Sequence, residues 1–395
     1  MAVALERVRV LDVTHVLAGP TCTMILADLG AEVIKVEPLD GDDARRFPPF
    51  QNDESGYFMS INRNKKGIAL DLKAEEAKEI LRKLIKICDA FVENFRPGTM
   101  SRLGFGPEEV LRLNPKIVYA SISGFGHSGP YMQRPAYDMV AQGMSGIMSI
   151  TGEEEGPPVR VGTSIGDIIA GHQAAIGILA ALLWRERSGQ GQHVDCAMLD
   201  GLVYILENAV VRYTISAEVP HALGTAHPSI TPFQAFRTKD GYIITPIGND
   251  ALWLKFCRAL GLEELANHPK FETNSKRTKN RGELVPLLEQ ALMGKTYQEW
   301  SQIFAEWGLP YAPINSVDEM VADPQVNQRE MIVEFEHPIA GEVKMVGCPI
   351  KLSQTPPQMR MPPPILGQHT EEILKDLLGY SLEEVKELRR RKVIV

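Results

Sequence analysis

The chain has 395 residues and a net charge of −8, with a pI near 5.7, 44% hydrophobic residues and 23% charged residues. This composition is typical of a globular protein with two domains, or with one large domain that carries a smaller one. The acidic balance argues against a general nucleic-acid-binding protein, so an anionic ligand must be held by a local cluster of Lys and Arg.

The five cysteines are scattered, and no CxxC spacing occurs. This pattern fits a reducing compartment and excludes a disulfide or zinc framework. The N-terminal stretch lacks the apolar core of a signal peptide. The longest strongly apolar run, residues 174–184, is too short to cross a bilayer. The sequence therefore predicts a cytoplasmic protein with no membrane partner.

In chain order, residues 8–14 alternate as a strand, a helix follows, and residues 31–37 form a second strand. Pro20 suits the first helical turn and Gly30 suits its C-terminal end. Short connections between strand, helix and strand are typical of a parallel sheet.

The same alternation continues through the next part of the chain. Strands are predicted at residues 67–72, 89–95 and 116–123, and helices at 74–88, 106–115, 138–149 and 167–187. We therefore predict an α/β fold, in which residues 1–200 form a large domain around a doubly wound open parallel sheet.

The pattern changes after about residue 215. Two strands surround a Lys-Asp-Gly turn within residues 232–248, and helices follow near 250–262, 282–293 and 297–306. We predict a linker at 201–224 and a small α+β domain at 225–330. Residues 331–395 are predicted to return to the large domain, with extended chain and then two helices.

The segment GFGHSG, residues 124–129, matches the GxGxxG pattern of dinucleotide-binding loops. Two prolines bracket the place where the helix of that motif should start, and the acidic residue expected about 20 positions later is missing. A flexible glycine loop beside a site is the better interpretation, and no nicotinamide or flavin is expected.

Two segments offer cations and a ring to a ligand. Arg63, Lys65, Lys66 and Lys73 are concentrated around one predicted strand, as either a phosphate-binding cluster or a solvated face. The segment ENFRPG, residues 93–98, follows another strand at the sheet edge where ligands bind in open α/β folds. The histidines have no metal-ligand spacing, so no metal site is predicted.

Asp167 lies in the segment GTSIGDIIAG, residues 162–171, at the mouth of an apolar helix. It could be the helix N-cap, because Asp accepts backbone N–H bonds well. It could also be a nucleophile that is already ionised at pH 7 and needs no general base. Helix N–H groups could stabilise an oxyanion, and Gly162, Gly166 and Gly171 could allow close substrate approach. Acyl transfer from a thioester fits this arrangement.

With these motifs in hand, the chain resembles the family III CoA-transferases, a family that includes formyl-CoA transferase and carnitine CoA-transferase. The resemblance extends over essentially the whole chain, including the stretches at 12–37, 62–73, 92–98, 122–138, 162–171, 187–200 and 366–374. It implies an interlocked homodimer and reversible CoA transfer from an acyl-CoA to a free carboxylic acid. It further implies that Asp167 is the nucleophile, through an aspartyl anhydride and an aspartyl-CoA thioester, without a permanently bound cofactor.

The resemblance also implies where CoA binds. The positions that match are Leu17, Ala18, Leu70, Asp71, Leu72, Lys73, Asn94, Phe95, Arg96, Arg102, Arg134, Pro135, Ala136 and Tyr137. Leu17 and Pro38 stand where formyl-CoA transferase has Gln and Arg, and residues 218–233 lack its tetraglycine loop. Formyl and oxalyl specificity is therefore not implied, and the donor is expected to be of the succinyl-CoA type.

Two alternatives share the fold. The α-methylacyl-CoA racemases move a proton with a His in a GHD motif, where this chain has AYD with Tyr137 in the His position. A neutral Tyr is a poor base compared with His. A non-catalytic CoA-binding relative is the other alternative, and Asp167 with its glycines argues against it.

Overall fold

The structure is a computed structural model that describes residues 2–395, and its contacts divide the chain into two compact units. The large unit comprises the chain up to Ile147, Arg160–Ser216 and Pro324–Val395. The small unit comprises Met148–Val159 and Ala217–Asp323.

The first half of the chain alternates strands and helices. The strands are β1 Arg9–Asp12, β2 Glu32–Glu37, β3 Phe50–Gln51, β4 Glu54–Ser55, β5 Lys65–Ala69, β6 Ala90–Glu93, β7 Val118–Ser123 and β8 His193–Ala197. The helices are α1 Ala18–Asp28, α2 Gly56–Ile61, α3 Glu75–Ile87, α4 Thr99–Leu103, α5 Pro107–Leu113, α6 Asp138–Ser145, α7 Ile165–Ser188, α8 Met198–Tyr204 and α9 Asn208–Ser216. Short 3-10 turns lie at Asp43–Arg46 and Ile147–Ile150.

The second half forms the small unit and then returns to the large one. The small unit contains β9 Phe233–Arg237, β10 Tyr242–Pro246, α10 Asp250–Leu260, α11 Glu263–Ala266, α12 Asn274–Lys279, α13 Arg281–Leu292, α14 Tyr297–Glu306 and α15 Val317–Ala322. The returning segment contains α16 Pro324–Gln328, β11 Ile332–His337, β12 Gly341–Val346, α17 Thr370–Glu372 with a π turn at Ile373–Leu377, and α18 Leu382–Arg390.

Six strands of the large unit form one parallel sheet in the order β5-β2-β1-β6-β7-β8. Alternate residues of one strand face different cores: Val10 packs with α1 and α7, whereas Leu11 packs with α3 and α5. Burial of both faces is the reason that these strands are almost continuously apolar. The predicted α/β fold with a large parallel sheet is confirmed.

The order of the strands reverses between β1 and β6, which are neighbours in the sheet although two other strands of that sheet, β2 and β5, lie between them in the chain. Loops leave this point in opposite directions, which opens a crevice beyond the carboxyl ends of the two strands. The residues that follow β1 and β6 therefore frame a natural ligand site.

Helices α1 and α7 pack closely because Gly171 lies at their contact. A methyl group on Gly171 would come within 2.6 Å of the Ala18 carbonyl oxygen and 3.0 Å of Thr21 Cβ. Small residues thus allow backbone-to-backbone approach and bring the start of α7 against the start of α1. Helix α7 is long and apolar enough to cross a membrane by length and composition alone, a test that core helices of globular proteins also pass.

Late segments of the chain cover the edge of β5 and the two residues that follow it. At β5 itself, the Gly67 carbonyl accepts the N–H of His369, and the Gly67 N–H donates to His369 Nδ1 at 3.1 Å. Leu70 and Ile394 form an antiparallel bridge, and the N–H of Asp71 donates to the carbonyl of Val393 at 3.0 Å. Val393 and Ile394 are buried in the same core as Leu70. This pairing protects an otherwise open sheet edge.

Candidate active site

A cleft of about 120 Å³ opens at the reversal point of the sheet. Its lining combines the loop after β1, the turn after β6, the loop after β7 and the first turn of α7. The lining residues are His15, Val16, Leu17, Ala18, Asn94, Phe95, Arg96, Pro97, Ile122, Ser123, Gly124, Phe125, Met132, Arg134, Ala136, Tyr137, Asp167 and Met198. We call it the inner cleft.

A larger cleft of about 670 Å³ shares His15 and Phe95 with the inner cleft. We call it the outer cleft. The ends of β2 and β5 line its far side, with residues 36–43 and 70–73. Together the two clefts provide an elongated site with a narrow end at Asp167 and a wide end at Lys73.

A buried network of charges holds the loop between β1 and α1. Lys35 Nζ lies 2.9 Å from Asp42 Oδ2 and donates to the Thr14 carbonyl at 3.0 Å. The other oxygen of Asp42 accepts the N–H of Val16, whose φ of 62° is left-handed. Asn94 completes the support by exchanging two hydrogen bonds with the backbone of His15. These contacts stabilise a strained loop at the floor of the site.

Asp167 lies within the first turn of α7 and not at its N-terminal cap. Helix α7 begins at Ile165 and Ser164 is its N-cap residue, so the prediction of Asp167 as a possible N-cap is wrong. The carboxylate of Asp167 is instead free of a capping role and lines the inner cleft. The amides of Ile165, Gly166 and Ile168 are already bonded to Thr163, Asp138 and Ser164, so these helix N–H groups are not open donors.

Burial, with a smaller contribution from the nearby negative charge of Asp138, raises the pKa of Asp167 to about 7. The expectation that Asp167 is fully ionised at pH 7 is therefore wrong. Asp138 Oδ1 accepts the N–H of Gly166 at 2.8 Å, and Asp138 Oδ2 accepts Gln142 Nε2 at 2.7 Å. Asp138 thus holds the first turn of α7 while it disfavours a second charge nearby.

The three glycines around Asp167 have different roles from those expected. A methyl group on Gly166 would contact Asp138 and Leu202, and one on Gly171 would collide with α1. These two glycines serve internal packing. Only the space around Gly162 is open among the three, so close approach of a substrate is possible there and not at the other two.

Arg63, Lys65 and Lys66 of the basic segment form neither a phosphate-binding cluster nor a solvated face, because each is paired with an acidic residue. Arg63 is buried against Asp28 at 2.6 Å, and Lys65 is buried against Asp12 at 3.0 Å. Lys66 lies 3.0 Å from Glu32 and 2.7 Å from Glu372. Lys73 is exposed in the lining of the outer cleft. Sequence reasoning missed this because the acidic partners are distant in the chain.

The structure brings most of the positions named for CoA together. Leu17, Ala18, Asn94, Phe95, Arg96, Arg134, Ala136 and Tyr137 line the inner cleft with Asp167, and Leu70, Asp71, Leu72 and Lys73 line the outer one. Pro135 lies exposed between two lining residues, and Arg102 is exposed on α4, one turn after Arg96. The sequence assigns no role to His15, yet the structure places it in the lining of both clefts. This position depends on the pairing of β1 with β6, which no local pattern in the sequence reveals.

Comparison with known proteins agrees with this geometry. The model of CoA-transferase family III matches residues 5–370. Human succinyl-CoA:glutarate CoA-transferase is 43% identical over 99% of this chain and 90% of its own length. Acetyl-CoA:oxalate CoA-transferase of Acetobacter aceti is 42% identical over 87% of this chain and 88% of its own.

Solved structures resemble the whole chain as well. A CaiB/BaiF family protein from Brucella suis superposes with a TM-score of 0.85 at 36% identity, over 95% of this chain and all of that one. A D175A mutant of Rv3272 from Mycobacterium tuberculosis has a TM-score of 0.85 at 33% identity, over 94% of this chain and 98% of that one. The chain therefore belongs to the family III CoA-transferases and is an enzyme of that family.

Proposed function

We propose that the protein moves CoA reversibly from an acyl-CoA to a free carboxylic acid, with Asp167 as the covalent nucleophile. The observation that carries this proposal is the position of Asp167 at the narrow end of an elongated cleft. A thioester carbonyl that reaches this end meets a single carboxylate, while the outer cleft has room for the rest of the CoA molecule.

The reaction begins when ionised Asp167 attacks the thioester carbonyl. The C–S bond breaks, CoA leaves as the thiolate, and a mixed aspartyl anhydride forms. The thiolate then attacks the aspartyl carbonyl and releases the donor acid, which leaves an aspartyl-CoA thioester. The acceptor carboxylate attacks this thioester, the C–S bond breaks, and CoA leaves as the thiolate while a second mixed anhydride forms. Thiolate attack on the acceptor's carbonyl yields the new acyl-CoA and returns Asp167.

The environment of Asp167 suits a carboxylate that attacks as a nucleophile and is released again as a leaving group in the last step. Because its pKa is raised to about 7, its carboxylate is more nucleophilic than an ordinary aspartate. CoA itself supplies the thiolate for every second step, so the chemistry needs no permanently bound cofactor. CoA enters as substrate and leaves as product.

Short dicarboxylic acids are the substrate class that we propose. The relatives include enzymes named for succinate with glutarate, mesaconate or D-citramalate, and one named for oxalate. An inner cleft of about 120 Å³ accommodates a short acyl group and not a long one. We propose succinyl-CoA as the donor.

We further propose a homodimer, with the two chains interlocked. The large unit exposes large apolar side chains that a single chain leaves uncovered, among them Ile176, Leu183, Tyr204 and Ile215 at 66%, 60%, 82% and 81% exposure. Exposed apolar surface of this kind is typical of a subunit contact.

The function is tested by mixing the protein with acyl-CoAs without acceptor, trapping with hydroxylamine or borohydride, and mapping adducts by mass spectrometry. An adduct on the peptide containing residues 162–171 is expected with succinyl-CoA. Asp167→Ala should abolish both adduct and turnover, whereas Asp376→Ala, which removes an exposed carboxylate of the same unit, should keep them.

Near-normal turnover of Asp167→Ala would contradict the mechanism. Asp167→Asn is a weaker test because slow deamidation restores the acid. Deuterium exchange at the α-carbon of a 2-methylacyl-CoA, without any adduct, would instead indicate the racemase reaction.

A further inference from the structure

Glu93 is a buried carboxylic acid at the carboxyl end of β6, and the transfer chemistry does not use it. It is 2% exposed. Its Oε2 accepts the N–H of Phe95 at 2.8 Å, and it is also hydrogen bonded to Ser121 of β7. Glu93 therefore fixes the start of the turn at residues 94–97, which lines one side of the inner cleft.

His127 reaches Glu93 from a different element. It belongs to the loop at residues 124–129, whose first two residues also line the inner cleft. Its Nε2 is buried without a hydrogen-bond partner and lies 3.7 Å from Glu93 Oε1. Its backbone N–H donates to Asp195 Oδ2 at 2.8 Å, so the loop is held at the main chain and faces Glu93 with its ring.

The surroundings of the pair are polar and come from two strands, β7 and β8. His193 of β8 packs edge-on against the His127 ring at 5.4 Å and lies 2.9 Å from the Ser121 hydroxyl. Asp195 of β8 and Tyr119 of β7 interact electrostatically with Glu93 as well. Within residues 2–395 these side chains do not form a metal-binding group.

We propose that Glu93 and His127 are a pair of positioning residues that tie the 94–97 turn to the 124–129 loop and so preform the wall of the inner cleft for CoA. This inference depends on the proposed function, because it assumes that CoA occupies the cleft. Neither residue contacts the reacting atoms in this assignment; both act through the backbone that carries Asn94, Phe95 and Phe125.

The attraction between the two side chains depends on the charge of Glu93. The pKa of Glu93 is raised to about 7, mainly by burial and in small part by the negative charge of Asp195. The carboxylate attracts the imidazole N–H or imidazolium of His127, whereas the neutral acid does so much less. The tie is therefore stronger above pH 7 than below it.

The test is the dissociation constant of CoA, measured by calorimetry between pH 6 and pH 8. At pH 8 we expect Glu93→Gln and His127→Ala each to weaken CoA binding about fivefold, a size usual for coupled side chains. Gln keeps an acceptor for the Phe95 N–H but carries no charge. In transfer assays the KM for acyl-CoA should rise while kcat changes little.

The pH profile distinguishes positioning from a general structural role. Wild-type binding should weaken as the pH falls below 7, and Glu93→Gln should remove that part of the dependence. Asp167 titrates in the wild type and in Glu93→Gln alike, so its effect cancels when the two pH profiles are compared. The double variant should bind as the single variants do, since either change alone breaks the tie. His268→Ala, in the small unit, is the control and should match the wild type.

Unchanged CoA affinity in both variants, or strictly additive effects in the double variant, would overturn the inference. These outcomes differ from failure of the proposed function. If the proposed function were wrong, the wild-type protein itself would not bind CoA, or Asp167→Ala would keep its activity. Thermal unfolding of each variant checks that it is folded under the conditions of the assay.

Discussion

At the scale of single residues, the ionisation and pairing of a charged side chain depend on spatial neighbours that are distant in the sequence. Asp138 and Asp167 meet because α6 and α7 pack together, and Gly166 bonds directly to Asp138. Lys65 and Asp12 similarly form a buried pair across the sheet. The residue types were visible in the sequence, but their partners were not, so the ionisation of Asp167 and the use of the basic segment were both predicted wrongly.

The pH dependence of transfer follows from the raised pKa of Asp167. Only the ionised carboxylate attacks, so kcat/KM should rise as the pH increases through about 7 and then level off. Asp138→Asn removes the neighbouring charge while an amide oxygen can still accept the Gly166 N–H. We expect the midpoint to move to lower pH, although burial keeps it above that of an ordinary aspartate. An unchanged midpoint would show that Asp138 has no electrostatic effect on the nucleophile.

The same raised pKa predicts a stability penalty. Folding keeps Asp167 protonated up to about pH 7, whereas an unfolded aspartate ionises near pH 4, so the folded state loses relative stability between these values. Asp167→Asn should therefore be more stable than the wild type by about 2 to 4 kcal/mol at pH 8, with a gain that shrinks towards pH 4. Urea unfolding at several pH values measures this gain, and a gain independent of pH would contradict it.

At the scale of helices and strands, the packing of α1 on α7 positions the nucleophile. Gly171→Ala should force the two helices apart, because its Cβ meets the Ala18 carbonyl at 2.6 Å. We expect a loss of about 1 to 3 kcal/mol in unfolding free energy, typical of overpacking, and a fall in turnover. Gly162→Ala is the matched control, since no atom lies within 4 Å of its added methyl group. Equal stability of the two variants would show that the helix contact is easily relaxed.

Periodic segments were predicted closely and irregular ones were not. Helix α3 was expected at 74–88 and spans Glu75–Ile87, with Ile80, Leu81 and Leu84 on its buried face. Strand β8, His193–Ala197, was missed because it is a half-exposed edge strand with an aspartate in its middle and no clear alternation. The hairpin of β3 and β4 was also missed, since two-residue strands leave no periodic signal.

At the scale of the whole molecule, the exposed apolar side chains of the large unit predict self-association. Light scattering after gel filtration should give twice the chain mass of 43.8 kDa. In an interlocked dimer, charging the surface with Leu183→Glu and Trp184→Glu should lower the yield of folded protein, because the chains cannot part while folded. A stable, active species of single-chain mass would contradict the interlocked dimer. The domain boundaries at 200, 225 and 330 stay a prediction.

The bridge between Leu70 and Ile394 bears on how the protein is made in the cell. A ribosome releases β5 early, but His369 and Ile394, which pair with β5 and the residue after it, emerge roughly 300 residues later. The small unit, which ends at Asp323, can fold before then. The nascent chain therefore carries an uncovered sheet edge while the intervening residues are made, and we expect it to engage molecular chaperones during that time.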